Sequence, residues 1–376
     1  MVLALCALLA ACGNKPFKIG INGGPGGADV ARMAASEIRQ SGAAKDRRVD
    51  IRIAAMRSMV QNAATPAMFH AALDSMSDDK NVGVVVSRFL DMETLQSAQT
   101  FKRKQLPFIS TTPLPPGIAS ANGPGFSMVP SFNKQAAFLA EQARPDDKVA
   151  IVQIDDYYGT SLTNLLLTAL QSRGIRKVDV RKYQQSWDEP RMVALGADVQ
   201  QASDPTLVYF MGRAPSLELV WQRFREAAKG TRVIGSDLVE SPAVYDNPEG
   251  RFTGLRYVRY FDPQSPDARM KDLHDRYAMW IGRGEMTGEA VLIYDAMMLT
   301  ADALRSGART HAEVAQYFAS LGRSRPPFKG VGGLVAFNDD GEVDRKFELA
   351  EVTNTGVMNA DSLQKQLADT LPKPRP

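Results

Sequence analysis

Two arginines in separate halves of the chain carry the most pointed chemistry: Arg88 in Ser87-Arg88-Phe89-Leu90-Asp91 and Arg213 in Met211-Gly212-Arg213-Ala214-Pro215. A planar guanidinium pairs bidentately with a carboxylate, so two of them facing one cleft would favour a ligand with a carboxylate or another anionic group. The alternative for each is a stem lying along the surface with its head in water at a loop edge. Ser110, Thr111 and Thr112 offer hydroxyls and backbone amides for the same purpose, although Pro113, Pro115 and Pro116 remove several donors just beyond them. Asn22–Gly27 is a glycine-rich turn whose amides could approach an anion. The dinucleotide fingerprint is nevertheless incomplete there: Gly24 and Gly26 supply Gly-x-Gly, Asp29 takes the place of the third glycine, and no acidic residue ends the next strand at Ala54-Ala55. A tight turn beside a cleft is the expected role, and no cofactor is expected.

Other chemistries find little to work with. His70, His274 and His311 lie far apart in sequence, and the two cysteines are Cys6 and Cys12, so no zinc site, thiol nucleophile or disulfide is expected beyond Gly13. No Gly-x-Ser-x-Gly elbow, His-Glu-x-x-His pair or complete phosphate loop occurs, and Asp155-Asp156 reads as a cap for the turn and helix after it. The expectation is a protein that is not an enzyme. The chain has 45 basic and 42 acidic residues, a net charge of +3, and gives no global field that would point to nucleic acid. Hydrophobic residues at 44% and charged residues at 23% are a globular balance, and 376 residues exceed one ordinary core.

The elements that must position these loops alternate in type. Short runs rich in valine and isoleucine predict strands at 17–21, 49–53, 82–86 and 107–110, with helices over 28–40, 67–76 and 92–104 between them. A second series predicts strands at 148–152, 178–180, 206–210 and 232–235, with helices over 161–173 and 216–229. Strand and helix in alternation imply α/β architecture, with parallel sheets covered on both faces. Two such halves imply a cleft where the carboxyl ends of their strands face a shared ligand. The candidate loops are 22–27, 87–91, 110–116, 155–159, 211–215 and 236–241. Trp221 and Trp280 fall at apolar helical spacing and read as core, Trp187 could border the cleft, and the 16 methionines read as core filler.

At the amino end, Met1 to Ala11 is an unbroken apolar run closing on Leu9-Ala10-Ala11-Cys12-Gly13, which resembles the lipobox of bacterial lipoproteins. Eleven residues fall short of the roughly 20 that span a bilayer as a helix but suit a signal peptide. The resemblance implies that residues 1–12 form the signal region, with Cys12 diacylated after cleavage. The body would then sit in the bacterial cell envelope, held to a membrane by two acyl chains.

The body itself resembles the type I periplasmic binding proteins, which include the leucine/isoleucine/valine-binding protein. The resemblance rests on Asp155-Asp156-Tyr157-Tyr158-Gly159 after a Val-Ala-Ile-Val strand, on Tyr294-Asp295-Ala296 in a helix ending near Leu304, and on the glycine-punctuated segment Gly330 to Gly341. It implies two Rossmann-like lobes, each a parallel sheet flanked by helices, joined by a three-segment hinge. The chain would cross near Pro130, Leu255 and Gly333, so that 17–130 plus 256–332 form one lobe and 131–255 plus 333–370 the other. It further implies hinge closure around a small ligand. In amino-acid-binding relatives, hydroxyls and amides of the first lobe hold the ligand carboxylate, and a tyrosine and an acidic residue of the second meet its ammonium. Tyr158 matches that tyrosine and Asp237 falls at the acidic position; the alternatives are a structural turn tyrosine and a helix cap or solvated loop residue. The first lobe departs from the pattern, with Arg88 where relatives have a serine cluster, and Arg213 replaces an aromatic or small residue. The implied function is capture of a small polar, amino-acid-like or carboxylate-bearing solute and its delivery to an ABC permease, by a monomer. The alternative is an envelope lipoprotein that uses the same fold for sensing or regulation.

Overall fold

A computed structural model describes residues 16–23, 26–42, 48–54, 66–90, 92–227, 231–282 and 286–370. In chain order the first half runs β1 (Phe17–Asn22), α1 (Gly27–Gln40), β2 (Val49–Ile53), α2 (Pro66–Asp78), β3 (Val82–Ser87), α3 (Met92–Arg103), β4 (Phe108–Ser110) and β5 (Gly125–Ser127). The second half runs α4 (Phe132–Glu141), β6 (Val149–Ile154), α5 (Tyr157–Ser172), β7 (Val178–Tyr183), α6 (Glu189–Ser203), β8 (Leu207–Met211), α7 (Ala214–Ala227), β9 (Arg232–Gly235), α8 (Pro242–Asp246) and β10 (Arg256–Arg259). Three helices follow, α9 (Ala268–Ile281), α10 (Gly288–Arg305) and α11 (His311–Ser320), then the hairpins β11 (Phe328–Gly330) with β12 (Gly333–Val335) and β13 (Glu348–Thr353) with β14 (Gly356–Asn359), and α12 (Ala360–Thr370).

The strands form two main sheets. The first has the order β2-β1-β3-β4-β5 and is parallel throughout. The second has the order β14-β13-β10-β9-β8-β6-β7, parallel from β10 to β7, with β13 and β14 added antiparallel at one edge. β3 and β6 are buried along their whole length, which requires helices on both faces and explains why these segments read as continuous apolar runs. The first sheet takes its covering helices from both ends of the sequence. α10, nearly all of it buried, packs with α1, α9 and α11 into one cluster that also includes Val335, Phe337 and Val343. Core membership therefore changes three times along the chain: between Val129 and Phe132, between Val258 and Phe261, and between Val343 and Phe347.

Local signals account for several boundaries. Asp156 caps α5 by accepting the Gly159 N–H, and Asp188 caps α6, which carries Pro190 in its first turn. The polar stretch around Trp187 is thus a helix entry, and Trp187 packs partly buried against the core of the second sheet. Trp221 is buried, and its indole N–H donates to the Arg251 carbonyl at 2.7 Å. Trp280 departs from the expected core position. It is 49% exposed on α9 beside Met279, which is 76% exposed, because the buried face of that helix is formed by Met270, Leu273 and Tyr277. Met68 and Met92 are exposed as well, so methionine is not uniformly core filler.

Candidate functional site

Four residues in register close the carboxyl edge of the first sheet: Asn22 beside Ser87, Ser87 beside Ser110, and Ser110 beside Ser127. All four are buried polar residues, and each turns its side chain into local bonding. Asn22 Nδ2 donates to Ser87 Oγ at 3.1 Å, Ser87 Oγ to the Arg88 carbonyl at 2.8 Å, Ser110 Oγ to the Thr112 carbonyl at 2.6 Å, and Ser127 Oγ to the Val129 carbonyl at 2.7 Å. Hydroxyls bonded to carbonyls one or two residues on are a means of folding the backbone sharply away from a strand end. Thr112 Oγ1 accepts from the Phe89 N–H at 3.0 Å and ties two of these loops together. Thr111 is different. Its hydroxyl is buried and has no partner among the described residues, a deficit that a ligand or water group would relieve.

The second sheet presents an acidic centre. Asp237 follows β9 and opens a short 3-10 turn, Asp237–Val239. Its Oδ1 accepts from the Tyr158 hydroxyl and from Gln135 Nε2 at 2.8 Å, and its Oδ2 accepts from the Tyr260 hydroxyl at 2.8 Å. The donors come from α5, α4 and the segment after β10, so one carboxylate gathers three elements. All three are neutral. Burial, and then the Asp237 charge, raise Tyr158 and Tyr260 well above the ordinary tyrosine range, so both remain donors at neutral pH. Tyr158 is held by Phe132, whose ring meets it edge-on at 5.5 Å, and by Gly159, where a β-carbon would collide with the Ile154 carbonyl.

The two carboxyl edges face each other and touch. Leu90, in the loop after β3, packs on the second-sheet cluster around Phe132, Tyr158 and Ile234. Tyr157, at the start of α5, packs both on that cluster and on the first-sheet cluster containing Phe89 and Leu114. Farther along, the Glu240 carboxylate abuts Gly288 at the amino end of α10.

Arg88 and Arg213 both stand on loops at these edges, and each already has an acidic partner. Arg88 Nε lies 3.2 Å from Glu289 Oε1, an ion pair without hydrogen-bond alignment. Arg213 Nη2 donates to Asp156 Oδ2 at 2.7 Å and Nη1 to Gln185 Oε1 at 3.1 Å. Both arginine side chains are 18% exposed, so neither head extends freely into water. Asp156 thus serves Arg213 through one oxygen and the helix cap through the other, while Asp155 pairs with Lys182 at 3.1 Å. Gly24, Pro25, Asp91 and the Cys12 segment lie outside the described residues. Gln135, Tyr260 and Glu289 have no motif around them, and sequence reading missed all three, while Glu240 falls inside the candidate loop 236–241 without being singled out. Their positions follow only from where α4, the inter-sheet segment and α10 dock.

One cluster has the composition of a hydrolase triad. His70 Nδ1 lies 2.7 Å from Ser97 Oγ, and His70 Nε2 lies 3.4 Å from Asp74 Oδ2. Ser97 is fully buried between α2 and α3, so this contact ties two helices rather than presenting a nucleophile. Among the described residues, no group of three or more histidine, cysteine or acidic side chains could hold a metal, and no helix is long and apolar enough to cross a membrane.

A family model described as periplasmic binding protein matches residues 19–357. The chain belongs to the periplasmic binding protein family. Among solved structures, this binding protein is similar to a leucine binding protein, LivK, from Thermotoga maritima, at 18% identity and a TM-score of 0.70, covering 92% of this chain and 99% of that one. The branched-chain amino acid transporter substrate binding protein LivJ from Streptococcus pneumoniae, in complex with isoleucine, matches at 17% identity and a TM-score of 0.72, covering 91% and 98%. A solute binding protein of an ABC transporter from R. palustris, in complex with benzoate, matches at 12% identity and a TM-score of 0.71, covering 92% and 95%. No match is found among curated proteins. The fold is that of the type I periplasmic binding proteins, with parallel sheets flanked by helices.

Proposed function

We propose that the protein is an extracytoplasmic substrate-binding lipoprotein, anchored through Cys12, that closes two lobes on a small polar solute and delivers it to an ABC transporter. The solute is amino-acid-like or otherwise bears a carboxylate. The observation that carries this reading is the Asp237 carboxylate, held at the inter-lobe edge by three neutral donors, Tyr158, Gln135 and Tyr260. A carboxylate ordered by neutral groups is preorganised to meet an ammonium. The opposite edge offers the unpartnered Thr111 hydroxyl, with Ser110 and Thr112 shaping its loop, for the ligand's other end. Arg88 and Arg213 would each share a guanidinium between the resident carboxylate and an anionic ligand group, since five N–H donors exceed what one carboxylate takes up. A ligand touching both lobes stabilises the closed state by its differential affinity, and that state is the one a permease would read.

The test is calorimetry with leucine, glutamate, benzoate and an uncharged aliphatic alcohol, alongside mass spectrometry of any solute carried through purification. Binding of a zwitterion is expected to weaken at least tenfold, about 1.4 kcal/mol, in Asp237→Asn, with benzoate less affected. Tight binding of the uncharged solute, undisturbed by Asp237→Asn, would overturn the reading. For the anchor, Cys12→Ser is expected to release the protein from membranes, and a mature amino terminus without diacylglycerol would refute it.

A further inference from the structure

We infer that Glu240 and the amino terminus of α10 form a latch between the lobes, closed in this structure. Glu240 belongs to the second lobe, in the segment joining the Asp237–Val239 turn to α8. α10 belongs to the first lobe and is its most buried helix. A β-carbon on Gly288 would lie 2.8 Å from Glu240 Oε2 and 3.3 Å from Oε1, so the carboxylate occupies the space that the missing side chain leaves. The Gly288 N–H favours the charged form of Glu240. This N–H opens an 18-residue helix, where backbone donors lack partners and the helix dipole favours negative charge. The Thr287 hydroxyl accepts the Ala290 N–H at 3.4 Å, two residues beyond Gly288. The contact joins the two bodies alongside the apolar contacts of Leu90 and Tyr157, and it must break when the lobes part.

The surroundings make the latch sensitive to protonation. On the second-lobe side the Tyr245 hydroxyl donates to Glu240 Oε1, and Tyr257, Tyr260, Arg259 and Asp237 act on it electrostatically. From the first lobe come the Gly288 N–H and, one residue on, Glu289, whose charge engages Arg88. Burial outweighs the hydrogen bonds and pushes Glu240 up to about 7 from 4.5. In an open state the carboxylate loses its α10 cover while keeping its second-lobe neighbours, and falls back toward its ordinary range. Closing therefore takes up a proton: the latch is strongest below about 4.5 and weakens as pH rises through about 7. That interval bounds the change in the closed-to-open ratio at roughly 300-fold, and solvent contact at this partly exposed side chain brings the expected change to about tenfold.

The inference rests on the two-lobed binding reading only for the importance of closure, and its test uses no ligand. Spin labels at Met92→Cys and Glu189→Cys, exposed sites in α3 and α6, report the inter-lobe distance in a Cys6→Ser, Cys12→Ser full-length background by electron-electron resonance. Gly288→Ala, which inserts a methyl group where the carboxylate sits without changing charge, is expected to shift the distribution to longer distances and cut the closed-to-open ratio about tenfold. Raising pH from 5 to 8 should shift the parent the same way and leave Glu240→Gln, which cannot ionise, flat. Should Gly288→Ala fail to fold, Glu240→Gln and Glu240→Ala carry the test, the first keeping an acceptor for the Gly288 N–H and the second losing it. Distances unchanged in Gly288→Ala or in Glu240→Ala, or the full pH response retained in Glu240→Gln, would overturn the latch. A failure to bind any amino acid would touch only the proposed ligand.

Discussion

Replacing Tyr158 by phenylalanine removes one oxygen from the most connected carboxylate site in the cleft and little else. The ring keeps its edge contact with Phe132, and no cavity larger than a hydroxyl is left. What disappears is a donor to Asp237 Oδ1, leaving Gln135 Nε2 on that oxygen and Tyr260 on the other. A hydrogen bond to a charged acceptor contributes about 1.5–3 kcal/mol. Asp237 is partly exposed, so water can replace part of the loss, and the expected cost lies near the lower figure, about 1.5 kcal/mol. Equilibrium unfolding of ligand-free protein in urea at pH 7, followed by tryptophan fluorescence and circular dichroism together, measures it. Coupling is isolated by the cycle with Asp237→Asn, which should give an interaction energy of at least about 1 kcal/mol. The cost should stay constant up to about pH 9, because a tyrosine raised above 10 in the folded state contributes fully below its ordinary pKa and loses that contribution only as alkali ionises it. Strict additivity of the two substitutions would show that the hydroxyl and carboxylate are neighbours without energetic consequence, and the reasoning about a preorganised anion would fall with it.

Three further outcomes are expected. Asp295 is buried and held by the Val331 and Gly332 N–H groups at 2.7 and 2.9 Å, and burial raises it to about 6 from 3.8. Its contribution is therefore complete below about pH 4 and lost as pH rises through 6, so stability relative to Asp295→Asn should fall by up to about 3 kcal/mol between pH 4 and 7, measured by urea titration. Gly159→Ala, which drives a methyl group into the Ile154 carbonyl, should cost about 1–3 kcal/mol and lower the melting temperature; an unshifted melt would show that α5 can slide. Leu90→Ala should leave the urea midpoint nearly unchanged while weakening lobe contact by about 1 kcal/mol, visible as a larger radius of gyration in solution scattering of the free protein.

The sheets were legible because their strands are buried on both faces and so announce themselves as apolar runs. Val49–Ile53 and Arg232–Gly235 match their expected limits, and most others extend by one to three residues into polar ends such as Asn22, Ser87 and Tyr183. Gly125-Phe126-Ser127 was not legible, since three residues offer no periodicity, and its pairing with β4 comes from packing. The antiparallel pair β13 and β14 escaped for a related reason: an edge strand such as Glu348–Thr353 mixes buried and half-exposed positions. Tyr158 and Asp237 could be singled out from motif resemblance, but their partners Gln135 and Tyr260 could not, because they reach Asp237 through tertiary contacts, 102 positions away for Gln135 and 23 for Tyr260. Trp280 misled because helical spacing alone does not say which face of α9 meets the sheet.

The late arrival of α10 has a consequence for how this molecule is made. The cluster beneath the first sheet begins at Phe17 and is completed only by residues from Met270 to Val343, so the earliest strands to emerge wait for nearly the whole polypeptide before their hydrophobic side is sealed. A chain built amino end first must carry that bare sheet through its synthesis. Deletions near the carboxyl end should therefore harm the amino-terminal half at least as much as the half in which they fall, and a helper that shields unfinished sheets would have its longest task here.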